Sequence, residues 1–130
     1  MKYAVSVLIL LFSLVYSSTI AQTSLSGVVN VYSSLSAQDE CNNSITLNDA
    51  SAFTPGMGII ILQTTGASIN LSNSNSYGNI EALNGCGNFE YNRILDIVGN
   101  ELSLELAIQN DYSPTLTQVI GFQIYDDATV

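Results

Sequence analysis

Short apolar runs separated by Asn, Ser, Gly and Pro follow one another along most of the chain. Within these runs, apolar residues alternate with polar ones or continue unbroken for roughly four to eight residues, which is typical of β-strands. Beyond residue 21, no stretch of about 11 residues or more keeps the 3.6-residue apolar period of a helix. The predicted strands cover 28–32, 44–47, 58–63 and 118–125, with a hairpin over 89–106 and a further extended segment beginning at 128.

The hairpin is centred on the dipeptide Gly99-Asn100. A two-residue Gly-Asn connection is typical of a type II′ turn. Apolar residues alternate with polar ones on both sides of it: Leu95, Ile97, Leu102, Leu104 and Leu106. Together with the other runs, this pattern predicts an all-β fold, a small barrel or sandwich of about five to seven short strands.

Residues 1–21 have the three parts of a secretory signal peptide. Lys2 supplies the positive charge, 5–15 is an almost unbroken apolar run, and small residues lead to a cleavage site between Ala21 and Gln22. A membrane anchor is the alternative, but this run has about half of the roughly 20 residues that span a bilayer. We expect export through the Sec pathway to a secreted or cell-surface location, with no membrane insertion after cleavage.

The predicted mature chain, 22–130, is long enough for a single small domain. The full chain has a net charge of −9, and Arg93 is the one basic residue beyond Lys2, against 11 carboxylates. This balance excludes nucleic-acid binding, which depends on Lys and Arg contacts to phosphates, and it disfavours anionic lipid surfaces. We expect Arg93 to pair with a surface carboxylate; binding of an anion is the alternative.

Two cysteines, Cys41 and Cys86, are present. In an exported protein an even number of cysteines favours a disulfide, so we predict that these two are paired. Two buried free thiols are the alternative. A metal site through them is not expected, because the chain has no CxxC motif and no histidine.

The composition also disfavours catalysis. The predicted mature chain has neither His nor Lys, which removes the usual general base and the Schiff-base amine. Two carboxylate pairs are the candidates for glycoside hydrolysis. Glu90 and Asp96 lie about 20 Å apart along one predicted strand, and Glu101 and Glu105 alternate with leucines on a solvated face. We therefore predict that the chain is not an enzyme and that it binds no cofactor.

Polar segments offer weaker candidates for binding. The acidic doublets 39–40 and 126–127 carry oxygen ligands that calcium accepts, but neither lies in an EF-hand loop, so no metal is predicted. The Asn- and Ser-rich segment 70–79 is predicted to be a solvated loop, with a ligand-contacting loop as the alternative.

Several motifs, taken in order, resemble the N-terminal β-rich module of large secreted or cell-surface Bacteroidetes proteins. Those proteins often end in gliding-motility-associated or type IX secretion sorting domains. The motifs are DEC (39–41), ITLNDASAF (45–53), Pro55-Gly56, IIILQ (59–63), YGNI (77–80), GNFEYN (87–92), VGNEL (98–102), Gln118-Val119 and YDDATV (125–130). They consist of turn and strand patterns, not catalytic signatures, and cover nearly all of the predicted mature chain.

Two departures from that family pattern stand out. Met57 replaces the Asp that usually follows the Pro-Gly turn, and the chain stops at Val130 where relatives continue. The resemblance implies that 22–130 is the N-terminal module of a longer protein; a free-standing secreted domain is the alternative.

The resulting functional hypothesis is a non-catalytic structural or adhesion module whose partners are other domains of the same polypeptide or cell-surface components. The alternative is a glycan-binding accessory module of a polysaccharide-acting protein, since sugars stack on exposed aromatic rings. The candidate ligand contacts for that alternative are Tyr77, Tyr91, Tyr112 and Tyr125. Coplanar exposed tyrosines would favour the glycan hypothesis, and scattered or buried ones the structural hypothesis.

Overall fold

The computed structural model describes residues 23–24, 26–125 and 128–129. The described residues divide into two units, one that contains 23–24, 26 and 128–129 and the other Gly27–Tyr125. In the first unit, β1 (Thr23–Ser24) pairs in parallel with a short strand at Ala128–Thr129. The predicted signal peptide, its cleavage site and the second acidic doublet lie outside the described residues.

The regular structure of the second unit consists of strands and one turn of 3-10 helix, which confirms the predicted all-β class. Its strands are β2 (Val31–Asp39), β3 (Ser44–Leu47), β4 (Gly58–Gln63), β5 (Ser68–Ile69), β6 (Ile80–Ala82), β7 (Phe89–Val98), β8 (Glu101–Leu104) and β9 (Thr117–Phe122). The short strand at Ala128–Thr129 is β10, and one turn of 3-10 helix covers Pro114–Leu116. Within the described ranges, no helix has the length and apolar character needed to cross a membrane.

Six strands form a closed antiparallel barrel in the order β2-β3-β8-β7-β4-β9, and β5 and β6 form a separate two-stranded sheet. The two long strands of the barrel change partner halfway. Residues 31–34 of β2 pair with β9 and 35–39 pair with β3. Likewise, 89–93 of β7 pair with β4 and 94–98 pair with β8. The barrel therefore consists of two sheets that share β2 and β7.

β-bulges mark both points where a strand changes partner. The register shifts between Leu35 and Ala37 in β2, and between Ile94 and Asp96 in β7. A bulge bends its strand and increases the local twist, so these two positions form the corners at which one sheet passes into the other. We call the sheet of β9, β4 and the first halves of β2 and β7 the front sheet. The back sheet comprises β3, β8 and the second halves of β2 and β7.

The core lies between these two sheets. The inward-facing aliphatic residues are almost completely buried: Leu35, Ile45, Leu47, Ile59, Ile61, Ile94, Leu102, Leu104 and Val119. The loop between β3 and β4 adds Ala50, Phe53 and Met57 to this core. Met57, at the position where the resembled family carries Asp, is thus a core residue, which makes this turn apolar.

Two predicted strands match the structure residue for residue, and one is displaced. The predictions for 44–47 and 58–63 are confirmed by β3 and β4. The first prediction, 28–32, is largely wrong, because β2 begins at Val31 and continues to Asp39. Val28 and Val29 are exposed and lie before the register that pairs Val31 with Gly121. An apolar run without a partner strand does not enter the sheet.

The predicted hairpin is confirmed, but the bulge in β7 changes the direction of one predicted core residue, Leu95. Gly99 has φ +62°, as the first central residue of a type II′ turn requires, and it connects β7 to β8. The bulge after Ile94 directs Leu95 to solvent, although simple alternation would have placed it in the core. Leu106 lies beyond the end of β8 and is also exposed.

The predicted disulfide between Cys41 and Cys86 is wrong, because both cysteines are free. Cys41 is exposed in the turn between β2 and β3, where its backbone N–H donates to the Asp39 carboxylate at 3.0 Å. Cys86 lies in the loop before β7, and its thiol donates to the carbonyl of Thr64 at 3.0 Å. Cys41 is thus held within its own turn, Cys86 is held against the loop that follows β4, and no disulfide joins them.

Candidate functional site

A row of four large side chains crosses the outer face of the front sheet. Tyr32 on β2 pairs in register with Ile120 on β9, Ile120 with Ile60 on β4, and Ile60 with Tyr91 on β7. At roughly 4.8 Å per strand spacing, the row spans about 14 Å between its terminal Cα atoms. Tyr32 and Tyr91 are 52% and 61% exposed, and the two isoleucines between them are partly exposed.

Two further rows extend this apolar surface along the strands. On one side, Leu62 pairs with Phe89 and with Gln118. The rings of Phe89 and Tyr91 lie 6.1 Å apart at 90°, an edge-to-face pair. Because these rings are perpendicular, they do not form one flat platform.

On the other side of the central row, Gly58 pairs with both Phe122 and Arg93. The ring of Phe122 lies over Gly58, so that a Cβ at this glycine would be 2.5 Å from Phe122 Cε2. A larger residue at position 58 would therefore have to displace this ring. The guanidinium of Arg93 borders this apolar surface.

We call the outward-facing residues of the front sheet the front face: Tyr32, Ser34, Gly58, Ile60, Leu62, Phe89, Tyr91, Arg93, Gln118, Ile120 and Phe122. None of these is a carboxylate, although the chain carries 11 of them. Arg93 Nε donates to the Gly56 carbonyl at 3.1 Å. Within the described part of the chain no carboxylate pairs with Arg93, so the predicted surface ion pair is not found there.

The outer surface of the back sheet has the opposite character. A groove of about 530 Å³ there is lined by polar and acidic residues, including Asp39, Glu40, Glu101 and Asp111. Glu101 accepts a 2.7 Å hydrogen bond from Ser44 Oγ. Across residues 23–24, 26–125 and 128–129, no three His, Cys, Asp or Glu side chains are arranged to hold a metal ion. The groove on the back sheet is thus acidic, whereas none of the outward-facing residues of the front sheet is a carboxylate.

Asp39, in the first acidic doublet, stabilises a turn. Its carboxylate accepts hydrogen bonds from the backbone N–H groups of Cys41 and Asn42 and from Asn42 Nδ2. These bonds, led by the one from the Asn42 backbone, favour the ionised form and lower the pKa of Asp39. The carboxylate is therefore engaged within its own loop.

One end of the barrel is closed by the loop between β8 and β9. Tyr112 from this loop is 2% exposed and packs into the core. Its backbone N–H donates to Gln38 Oε1 at 3.1 Å, while Asn110 Nδ2 lies 3.4 Å from its hydroxyl. Desolvation, followed by the negative charge of Glu90, raises the pKa of Tyr112 to about 12. Tyr112 is therefore a neutral structural residue, unavailable for stacking against a ligand.

Glu90 faces the interior beside Tyr112. Its Oε2 accepts the backbone N–H of Gln109 at 3.0 Å, and its Oε1 is buried without a hydrogen-bond partner. Asp96, considered with it as a catalytic pair, is exposed after the second bulge. Glu101 and Glu105 are both exposed, and Glu101 is bonded to Ser44. Neither pair considered for hydrolysis forms a cleft in which both carboxylates face one substrate position.

The structure does not bring the four candidate tyrosines to one surface. Tyr91 lies on the front face, Tyr112 is buried, and Tyr125 is exposed beyond the end of β9. Tyr77 is 67% exposed in the loop between β5 and β6. The Asn70 side chain of that loop forms hydrogen bonds with nearby residues: it accepts from the Ser72 backbone N–H and donates to the Glu81 carboxylate.

The sequence interpretation missed Tyr32 and Phe89 as members of the exposed surface. Phe89 and Tyr91 are two residues apart on one strand, so alternation alone places them on the same face. The predicted strand 28–32 includes Tyr32. The residues beside Tyr32 in the sheet depend on the pairing of β2 with β9, which no local sequence pattern specifies.

No family model and no curated protein sequence matches the chain. The chain is similar in structure to the Gp54 tailspike of Acinetobacter baumannii bacteriophage AP22, solved in complex with A. baumannii capsular saccharide, at 15% identity and a TM-score of 0.49. The match covers 71% of this chain and 15% of the tailspike chain, so this chain matches only a small part of that protein. At this level of likeness, the tailspike gives no information on what this chain binds.

Proposed function

We propose that the chain is a non-catalytic, adhesion-type module of an exported protein, and that it binds a protein surface through the front face. The signal-like residues 1–21 and the resemblance to Bacteroidetes surface proteins support the exported location. The observation that carries the proposal is the composition of the front face. In a chain of net charge −9, none of the front-face residues is a carboxylate, and most of them are aromatic or aliphatic.

The chemistry of the front face suits a protein partner. Protein interfaces have cores depleted of charged residues and enriched in Tyr, Phe and Arg, and all three occur here. Contiguous exposed apolar patches on soluble domains usually mark interaction sites. The carboxylates that lie elsewhere on the chain favour solubility without interfering with this contact.

The glycan alternative has less support from the same surface. Sugars stack on flat aromatic faces, but the rings of Phe89 and Tyr91 are perpendicular, and aliphatic Ile60 and Ile120 separate Tyr91 from Tyr32. Of the four tyrosines predicted as ligand contacts, Tyr91 alone belongs to the front face.

The test is a selection of random 12-residue peptides displayed on phage against the full chain. Wild type is compared with the double variant Tyr32→Ser/Tyr91→Ser and with Val98→Ser, a matched control at an exposed apolar residue of the back sheet. We expect peptides that bind wild type and the control but bind the double variant at least tenfold more weakly. A glycan array is probed in parallel. Peptides that bind all three proteins equally would overturn the proposal, and glycan binding that depends on Tyr91 would establish the alternative.

A further inference from the structure

The front face carries one charged side chain, that of Arg93, and it is the single basic residue of the predicted mature chain. Arg93 is its single basic residue against 11 carboxylates, and it is exposed at the border of the apolar rows. Along β7 it follows Tyr91 by two residues, so both side chains project from the same face. The one basic residue of the predicted mature chain thus lies beside a surface whose residues include no carboxylate.

The guanidinium is positioned by the strand and by one backbone contact. Arg93 pairs with Gly58 in the sheet, and its Nε donates to the Gly56 carbonyl. This bond uses one of five N–H donors, so the donors of the two terminal nitrogens remain for a further acceptor. No carboxylate within the described ranges takes that position.

Resting on the proposed function, we propose that the front face recognises a peptide segment that presents an apolar surface together with a carboxylate for Arg93. Arg is the residue that binds carboxylates with two parallel hydrogen bonds, and such a contact fixes the orientation of an otherwise non-directional apolar surface. The apolar rows supply the contact area, and the pairing of Arg93 with the carboxylate fixes the position of the peptide along the face.

A second copy of the chain does not supply this carboxylate by stacking its own front face on the first, because that face contains none. A polyanionic glycan would bring many carboxylates against a chain of net charge −9, which opposes its approach. One carboxylate at the edge of an apolar peptide avoids both difficulties.

The experiment compares peptide selections on wild type, Arg93→Gln and Arg93→Lys, using the same random 12-residue phage library. General attraction to an acidic protein would enrich Lys and Arg in the bound peptides. We expect the opposite on wild type: Asp or Glu enriched about threefold over the unselected library next to apolar residues. That enrichment should be lost on Arg93→Gln and partly retained on Arg93→Lys.

A synthetic peptide from this selection then provides a double-mutant cycle. Replacing the enriched Asp or Glu of this peptide by Asn or Gln should weaken binding to wild type about tenfold. It should leave binding to Arg93→Gln unchanged, as expected for a direct charge pair. If binding depends on Tyr32 and Tyr91 but not on Arg93 or the peptide carboxylate, the inference is wrong and the proposed function stands. If binding is also independent of the two tyrosines, both are wrong.

Discussion

The side-chain oxygen of Gln63 accepts a hydrogen bond from the backbone N–H of Ser113 at 2.9 Å. The same amide donates from Nε2 to the carbonyl of Asn84 at 2.8 Å and to that of Thr65 at 3.0 Å. Gln63 is completely buried at the end of β4, so one side chain connects three loops at this end of the barrel. Its position next to Gly85, where a Cβ would be 3.1 Å from the amide, leaves little freedom for another geometry.

Replacing this glutamine should be costly. Gln63→Ala removes the partners of the Ser113 N–H and the Asn84 carbonyl and opens a cavity, so we expect the free energy of unfolding to fall by about 3 kcal/mol. Guanidinium chloride unfolding followed by circular dichroism measures the change. The matched control is Gln118→Ala, at an exposed strand position, which should change the free energy by less than about 0.5 kcal/mol. Equal effects of the two substitutions would contradict the role of Gln63.

Gly121 allows the front sheet to lie against the loop that contributes Phe53 and Met57. A Cβ at Gly121 would lie 2.6 Å from Met57 Sδ and 2.8 Å from Phe53 Cε1, both in the core. Gly121→Ala should therefore lower the free energy of unfolding by about 1–3 kcal/mol through overpacking. Gly58→Ala is the comparison, because the nearest neighbours of its new Cβ would all be atoms of one partly exposed ring, that of Phe122, and not core residues. A smaller loss for Gly121→Ala than for Gly58→Ala in thermal unfolding would contradict this packing.

Tyr112 should make the stability sensitive to alkaline pH. Its folded-state pKa of about 12 is raised from an ordinary value of 10.0, so the unfolded chain releases this proton first as pH rises. The stability that depends on the neutral hydroxyl is complete below pH 10 and is lost between about pH 10 and 12. Unfolding free energies measured from pH 9 to 12 should decline less for Tyr112→Phe than for wild type. Tyr77→Phe, at an exposed position, should leave the decline unchanged; a wild-type decline in Tyr112→Phe would refute the assignment.

The thiols offer a direct test of the cysteine assignment. The intact mass should be the same with and without reductant, and iodoacetamide should modify both residues of the native protein. Cys41 should react faster than Cys86, because Cys41 is exposed while the Cys86 thiol is partly buried and donates to Thr64. Peptide mass spectrometry over a time course separates the two. A native mass two hydrogens lower than the reduced mass would show that the disulfide exists after all.

Local pattern predicted those features of the fold that local chemistry determines. The apolar alternation of β3, the continuous apolar run of β4 and the Gly99-Asn100 turn require no knowledge of distant residues, and all three elements are confirmed. The partner exchange of β2 and β7 depends on bulges and on pairing between residues far apart in sequence, so the pattern gave no sign of it.

The candidate site shows the same division. Aromatic chemistry alone makes Tyr91 a candidate contact, but its neighbours Ile120 and Tyr32 follow only from the order of strands in the closed barrel. Tyr112 lies between two polar residues in a loop, so nothing periodic indicates its burial. Position in the barrel, and not residue type, separates the surface tyrosine from the structural one.

The most direct test of the front face as the binding surface is hydroxyl-radical footprinting of the full chain with and without a selected peptide. Tyr91 and Tyr77 are similarly exposed, at 61% and 67%, which makes Tyr77 an internal control outside the face. We predict that the peptide lowers oxidation of Tyr91 and Tyr32 severalfold and leaves Tyr77 unchanged. Protection confined to the loop of Tyr77 or to the acidic back sheet, with Tyr91 still fully oxidised, would contradict the central claim.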